Sequence, residues 1–180
     1  MSYDKLRTTR KAKRGGPDFY STPKWATLAL MKREEFTGSI LEPACGDGRM
    51  AEVISKFNKV KAYDLYDRGY GKTGVDFIKR RWKIQDNVIT NPPFAIAEDF
   101  ILKAIDITKY KVAIFLRLNF LASRRRHSMF LETPLKNVWI FCRRVAMGLP
   151  GKEPGRMVVY VWAVWDKSYK GKTRLGWIND

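Results

Sequence analysis

The sequence predicts an α/β domain: a mostly parallel sheet with helices on both faces and an antiparallel strand at one edge. Three observations carry this. Short apolar runs alternate with stretches of helical periodicity along most of the chain. Residues 112–116, Val-Ala-Ile-Phe-Leu, are apolar without a break, as in a strand buried on both faces. The last two strand-like runs, 137–143 and 157–165, are joined by a loop rich in Gly and Pro with no helix between them, so they run antiparallel.

The chain has 180 residues, enough for one domain with a full core. Its net charge of +17, from 35 Lys and Arg against 18 Asp and Glu, is expected to meet a polyanion, nucleic acid first. No long apolar span or amphipathic anchor points to a membrane, and the polar, basic N-terminus lacks the apolar core of a signal peptide. Cys45, Cys142 and a single histidine supply neither a disulfide framework nor a metal site. A reduced, cytoplasmic, metal-free protein is expected. Its oligomeric state is open, with a monomer favoured.

Residues 1–17 read as a flexible basic arm, with Arg10, Lys11, Lys13 and Arg14 as phosphate contacts and a solvated tail as the alternative. The domain proper spans 18–166. Ser21 or Thr22 caps a helix that has Pro23 at its first position and runs to about Phe36. Residues 39–42 form the first strand, and Gly46 and Gly48 bound a tight turn after it. Met50, Val53, Ile54 and Phe57 then fall on one helical face. Residues 59–64 are the second strand. Asp64 at its end, about 20 residues past the glycine turn, suits ribose hydroxyls, with Asp67 as the alternate.

Residues 86–90 form the next strand, stopped by Asn91-Pro92-Pro93-Phe94. Two prolines remove two backbone donors and hold a rigid turn. In that turn the Asn91 side-chain oxygen and the Pro92 carbonyl can face the same way, as paired acceptors for an NH₂ group. Phe94 adds a face on which a planar ring can stack. Ala97, Phe100, Ile101, Ala104 and Ile105 mark the helix that follows. Arg124, Arg125 and Arg126 point in different directions on a helix, so one or two reach phosphate. Lys152 and Arg156 lie in the Gly- and Pro-rich loop, at a rim suited to nucleic acid. Residues 167–180 form a basic, aromatic tail that either binds nucleic acid or packs on the sheet.

The glycine turn is not a dinucleotide fingerprint. It lacks the third glycine and carries Glu42 and Asp47, which would repel a pyrophosphate and favour a cation. Glu42-Pro-Ala-Cys-Gly-Asp-Gly48 resembles the cofactor loop of S-adenosylmethionine (SAM)-dependent methyltransferases, whose cofactor carries an ammonium and a sulfonium. Asn91-Pro-Pro-Phe94 resembles the active-site motif of the amino-methyltransferases, chiefly the adenine-N6 DNA enzymes, and lies 45 residues beyond Gly46. The resemblance covers roughly residues 18–166 and is closest in outline to small phage-encoded forms.

It implies a Rossmann-like class I methyltransferase sheet and SAM as cofactor. The implied cofactor contacts are Tyr20, Thr22, Pro23, Glu42, Pro43, Ala44, Cys45, Gly46, Gly48, Asp64, Asp76, Phe77 and Asn91, with Asn91, Pro92, Pro93 and Phe94 catalytic. The implied substrate is adenine in double-stranded DNA, with single-stranded DNA, RNA or a glutamine side chain as alternatives. A binding protein that has lost catalysis is the rival of another class. The chain has no room for a separate target-recognition domain, so relaxed sequence specificity is expected, in a host cytoplasm if phage-encoded.

Overall fold

The computed structural model describes residues 19–148 and 158–179. Among these residues seven strands form one sheet in the order β2-β1-β3-β4-β6-β5-β7. The strands are β1 (Ile40–Glu42), β2 (Val60–Ala62), β3 (Gln85–Thr90), β4 (Thr108–Arg117), β5 (Leu135–Phe141), β6 (Tyr160–Asp166) and β7 (Arg174–Ile178). The helices are α1 (Lys24–Met31), α2 (Arg49–Ile54), α3 (Ala97–Ile107) and α4 (His127–Glu132).

Strand alternation divides the core into two layers. Ile40, Ile89, Ala113 and Phe115 face the side covered by α1 and α2. Leu41, Val88, Val112, Ile114 and Leu116 face the side covered by α3 and Met129 of α4. The period of two puts neighbouring apolar residues on opposite faces, so the unbroken run 112–116 feeds both layers.

Several boundaries differ from expectation. The first helix is shorter, and neither Ser21 nor Thr22 caps it: Pro23 takes the N-cap position with no side-chain bond. Both hydroxyls are engaged elsewhere, as shown below. Phe57 lies beyond the end of α2 and is exposed rather than part of its buried face. The antiparallel strand is β6, which pairs with β4 and with β5. It does not form the edge, because it lies between β4 and β5, and β7 adds beyond β5 in parallel. Residues 174–178, expected within the C-terminal tail, are therefore part of the sheet.

A partly buried ion pair joins the end of α1 to the sheet. Glu34, just past α1, accepts from Lys111 Nζ of β4 at 2.9 Å. It also accepts from Asn137 Nδ2 and Trp139 Nε1 of β5. One carboxylate thus ties a helix end to two strands.

Candidate active site

Chain direction decides where the site forms. From β1 the chain goes to β2 on one side, and β3 lies on the other, all three parallel. Their carboxyl ends open at the point where strand order reverses, the usual place for a ligand crevice in such sheets. Ile40 pairs with Asn87 and Leu41 with Val88, so the loops after Glu42 and Thr90 emerge side by side. A cavity of about 330 Å³ lies between them.

Tyr20, Thr22, Glu42, Pro43, Ala44, Cys45, Asp64, Asp76, Phe77 and Asn91 through Phe94 all border this cavity. Pro23, Gly46 and Gly48 do not. The two glycines serve the loop itself. Both have positive φ, +56° and +82°. A Cβ on Gly46 would run into the Phe19 ring and one on Gly48 into the Tyr70 ring. Two aromatic side chains of the protein therefore approach this turn closely.

The amide of Asn91 is held in one orientation. Its Nδ2 donates to the Tyr20 carbonyl and to Thr22 Oγ1, both at 3.1 Å. A backbone carbonyl can only accept, so the NH₂ side must face it. Oδ1 is left buried without a partner. The unspent acceptor is therefore Asn91 Oδ1, on a residue that borders the cavity together with Pro92.

Three carboxylates line the other end. Ser21 Oγ donates to both oxygens of Asp47, at 3.0 and 2.8 Å. Asp64 receives the backbone N–H groups of Gly46 and Tyr66, each at 2.8 Å, one on each oxygen. Asp64 thus clamps the glycine turn to the end of β2 while bordering the cavity. Glu42 is 1% exposed, and its Oε2 has no partner. Burial first, then repulsion from Asp64 and Asp47, raises its pKa well above the usual glutamate value. Burial and the two neighbouring acids thus favour the neutral form of Glu42.

Cys45 is not a nucleophile at neutral pH, because burial and then the Glu42 charge push its thiol up to about 12. Asp76 accepts from the Ile78 and Lys79 amides, and Phe77 packs against Phe100 with ring centres 4.8 Å apart. Asp67 accepts from the Gly69 amide in an exposed turn and does not border the cavity.

Tyr20 and Thr22 were expected at the cofactor, but the strap that residues 19–22 form across both loops was not foreseen. Phe19 packs on Gly46, Ser21 holds Asp47, and Tyr20 and Thr22 hold Asn91. Arg68 lies 4.2 Å over the Phe19 ring and, with Tyr66, forms the cavity lip. Asp47 was visible as a loop acid, but its tie to Ser21 spans 26 residues and leaves no local signal. Arg117, whose guanidinium sits 4.2 Å over the Phe94 ring, was also missed.

The three arginines form a 3-10 turn, and each goes its own way. Arg125 pairs with Glu98 at 2.7 Å, and Arg126 Nε donates to the Phe120 carbonyl at 2.9 Å. Arg124 borders a shallow hollow beside His127. Arg10, Lys11, Lys13, Arg14, Lys152 and Arg156 lie outside the described residues. Among the described residues, no cluster of three or more His, Cys, Asp and Glu could hold a metal, and no helix is long and apolar enough to cross a membrane.

No family model matches the chain, and no curated protein does. Solved structures do. A proposed RNA methyltransferase from Pyrococcus horikoshii aligns with a TM-score of 0.65 at 17% identity, covering 86% of this chain and 90% of that one. The methyltransferase subunit of a type I restriction-modification system from Streptococcus thermophilus aligns at 0.62 and 13% identity, covering 92% and 48%. A proposed class I SAM-dependent methyltransferase from Listeria monocytogenes aligns at 0.59 and 12% identity, covering 86% and 63%. The chain spans less than two thirds of the length of the last two. At these identities the likeness shows the fold: the sheet is that of the class I SAM-dependent methyltransferases.

Proposed function

We propose that the chain transfers a methyl group from SAM to the exocyclic N6 amine of adenine in DNA. The observation that carries this is the held amide of Asn91, whose Nδ2 is spent on Tyr20 and Thr22 while Oδ1 is left as an acceptor. An NH₂ group has two hydrogens to give: Asn91 offers it an acceptor and no donor, and the carbonyl of Pro92, which also borders the cavity, is the second acceptor proposed.

The residues present suit the cofactor. Glu42 supplies the unpaired buried carboxylate beside Asp47 and Asp64, a cradle suited to a cationic ligand. Tyr20, Thr22, Pro43, Ala44, Cys45, Asp76 and Phe77 would line the rest of its site. When bound, SAM supplies an electrophilic methyl group on a sulfonium that leaves as a neutral thioether.

The adenine amine is a weak nucleophile because its lone pair is delocalised into the ring. Asn91 Oδ1 and the Pro92 carbonyl accept its two hydrogens, favour a tetrahedral nitrogen and stabilise the positive charge that develops there. The strap fixes Asn91 before substrate arrives, so this acceptor needs no reorganisation. Arg117 backs the Phe94 ring, on which a base would stack. A duplex base must leave the stack to reach the site. Its proton can depart to water after transfer, so no strong base is required.

Adenine in RNA is the second reading, favoured by the likeness to the P. horikoshii chain along most of its length. The test is calorimetric SAM binding together with labelled-methyl transfer to duplex DNA, single-stranded DNA, RNA and a glutamine-bearing protein. Transfer chiefly to DNA, abolished by Asn91→Ala, is expected. Transfer chiefly to RNA or protein would replace the substrate while keeping the site. SAM binding without transfer to any acceptor would leave a binding protein.

A further inference from the structure

A second cavity, of about 240 Å³, lies beyond Phe94. Phe94 and Ala95 border both cavities, so the ring proposed to carry the base is also a wall of its neighbour. The remaining wall includes Arg117, Asn119, Arg125 and Arg126. Three guanidinium groups thus face one carboxylate, Glu98, which Arg125 already occupies.

Arg117 is the unspent group. It is the last residue of β4, with its guanidinium stacked on Phe94. Its Nε is buried and has no hydrogen-bond partner, and no carboxylate among the described residues pairs with it. A buried cationic donor left this way costs stability unless a ligand supplies the acceptor. Arg126 feels the same crowding: its pKa is lowered by burial and then by Arg125. An anion in the cavity relieves both.

We propose that this second cavity binds a backbone phosphodiester of the substrate strand, with Arg117 as its central cation. The planar guanidinium fork matches two phosphate oxygens. The same arginine then grips the backbone and backs the ring on which the flipped base rests. The inference rests on the nucleic-acid reading above.

The test uses the full chain, a duplex substrate and two variants, Arg117→Met and Arg117→Lys. Wild-type duplex affinity is measured across a salt series and on duplexes with single neutral methylphosphonates flanking the adenine that becomes labelled. Arg117→Met is expected to weaken duplex binding about tenfold and to reduce the slope of log K against log salt by about one, as for one lost phosphate contact. Arg117→Lys keeps the slope. SAM affinity stays within a few-fold in both, which reports an intact fold. One methylphosphonate position should weaken the wild type by a similar factor and have no further effect on Arg117→Met.

An unchanged slope in Arg117→Met, or no sensitive methylphosphonate position in the wild type, overturns the phosphate site. In that case Arg117 only supports Phe94. The methylphosphonate scan needs no variant, so a misfolded substitution does not blunt the test. Wild-type protein that neither binds nor methylates nucleic acid overturns the proposed function, and this site with it. Normal wild-type transfer with an unaltered Arg117→Met slope overturns this site alone.

Discussion

The orientation of one amide decides what the candidate site can accept. Because Tyr20 and Thr22 take both hydrogens of Asn91 Nδ2, its oxygen alone is left without a partner. Thr22→Val removes one of the two acceptors, and a neutral hydrogen bond is worth about 0.5–1.5 kcal/mol. Turnover is expected to fall several-fold, with Thr22→Ser restoring it, as steady-state kinetics would show. Glu42 makes a prediction of opposite sign for stability and binding. Its folded pKa is raised, so the folded state holds a proton that the unfolded chain releases. Ligand-free stability therefore declines as pH rises from the ordinary glutamate range towards the raised value. Glu42→Gln should flatten that decline in thermal melts and weaken SAM, whose positive charge favours the ionised acid. A steeper decline, or tighter SAM binding, would contradict the assignment. The residues of the site were largely legible, because Glu42 and Asn91 lie in short motifs. Their partners were not: Ser21, Thr22 and Arg117 meet those motifs only through folding.

Elements explain why the motifs meet. Parallel pairing of β1 with β3 brings two loops 45 residues apart to one crevice, and the alternation of short apolar runs with helical stretches was enough to foresee that sheet. Helix ends were less legible. Ser21 and Thr22 are good cap residues by type, yet tertiary bonds to Asp47 and Asn91 take them away from α1. The seventh strand was hidden because its sequence, Arg-Leu-Gly-Trp-Ile, leaves Leu175 and Trp177 exposed and reads as a tail. Two tests belong at this scale. Gly48 has φ +82° and faces the Tyr70 ring, so Gly48→Val should destabilise the fold by at least the 1–2 kcal/mol of a left-handed L-residue, seen in chemical denaturation. Glu34→Leu leaves Lys111 partly buried and unpaired and strips Asn137 and Trp139 of an acceptor. A loss of roughly 3–5 kcal/mol is expected. Wild-type stability in that variant would mean the carboxylate does not hold α1 to the sheet.

For the molecule as a whole, the charge of +17 sets how it meets its substrate. Affinity for duplex DNA should fall steeply with salt, about 0.9 in log–log slope per phosphate contact. Six cations lie among residues 5–14, outside the described residues. Deleting residues 1–14 is expected to flatten the slope by several units and leave SAM affinity alone, whereas an unchanged slope would make that segment a solvated tail. Charge of this kind was legible from composition, but composition does not separate DNA from RNA, and neither does a fold shared at 12–17% identity. The chemistry at Asn91 is the centre of the account, and the identity of the product tests it most directly. Duplex DNA is incubated with the protein and labelled SAM, digested to nucleosides and separated by chromatography. The account predicts label in N6-methyladenine, lost in Asn91→Ala while SAM still binds. Label at a ring nitrogen or carbon, or undiminished N6 methylation by Asn91→Ala, would contradict it.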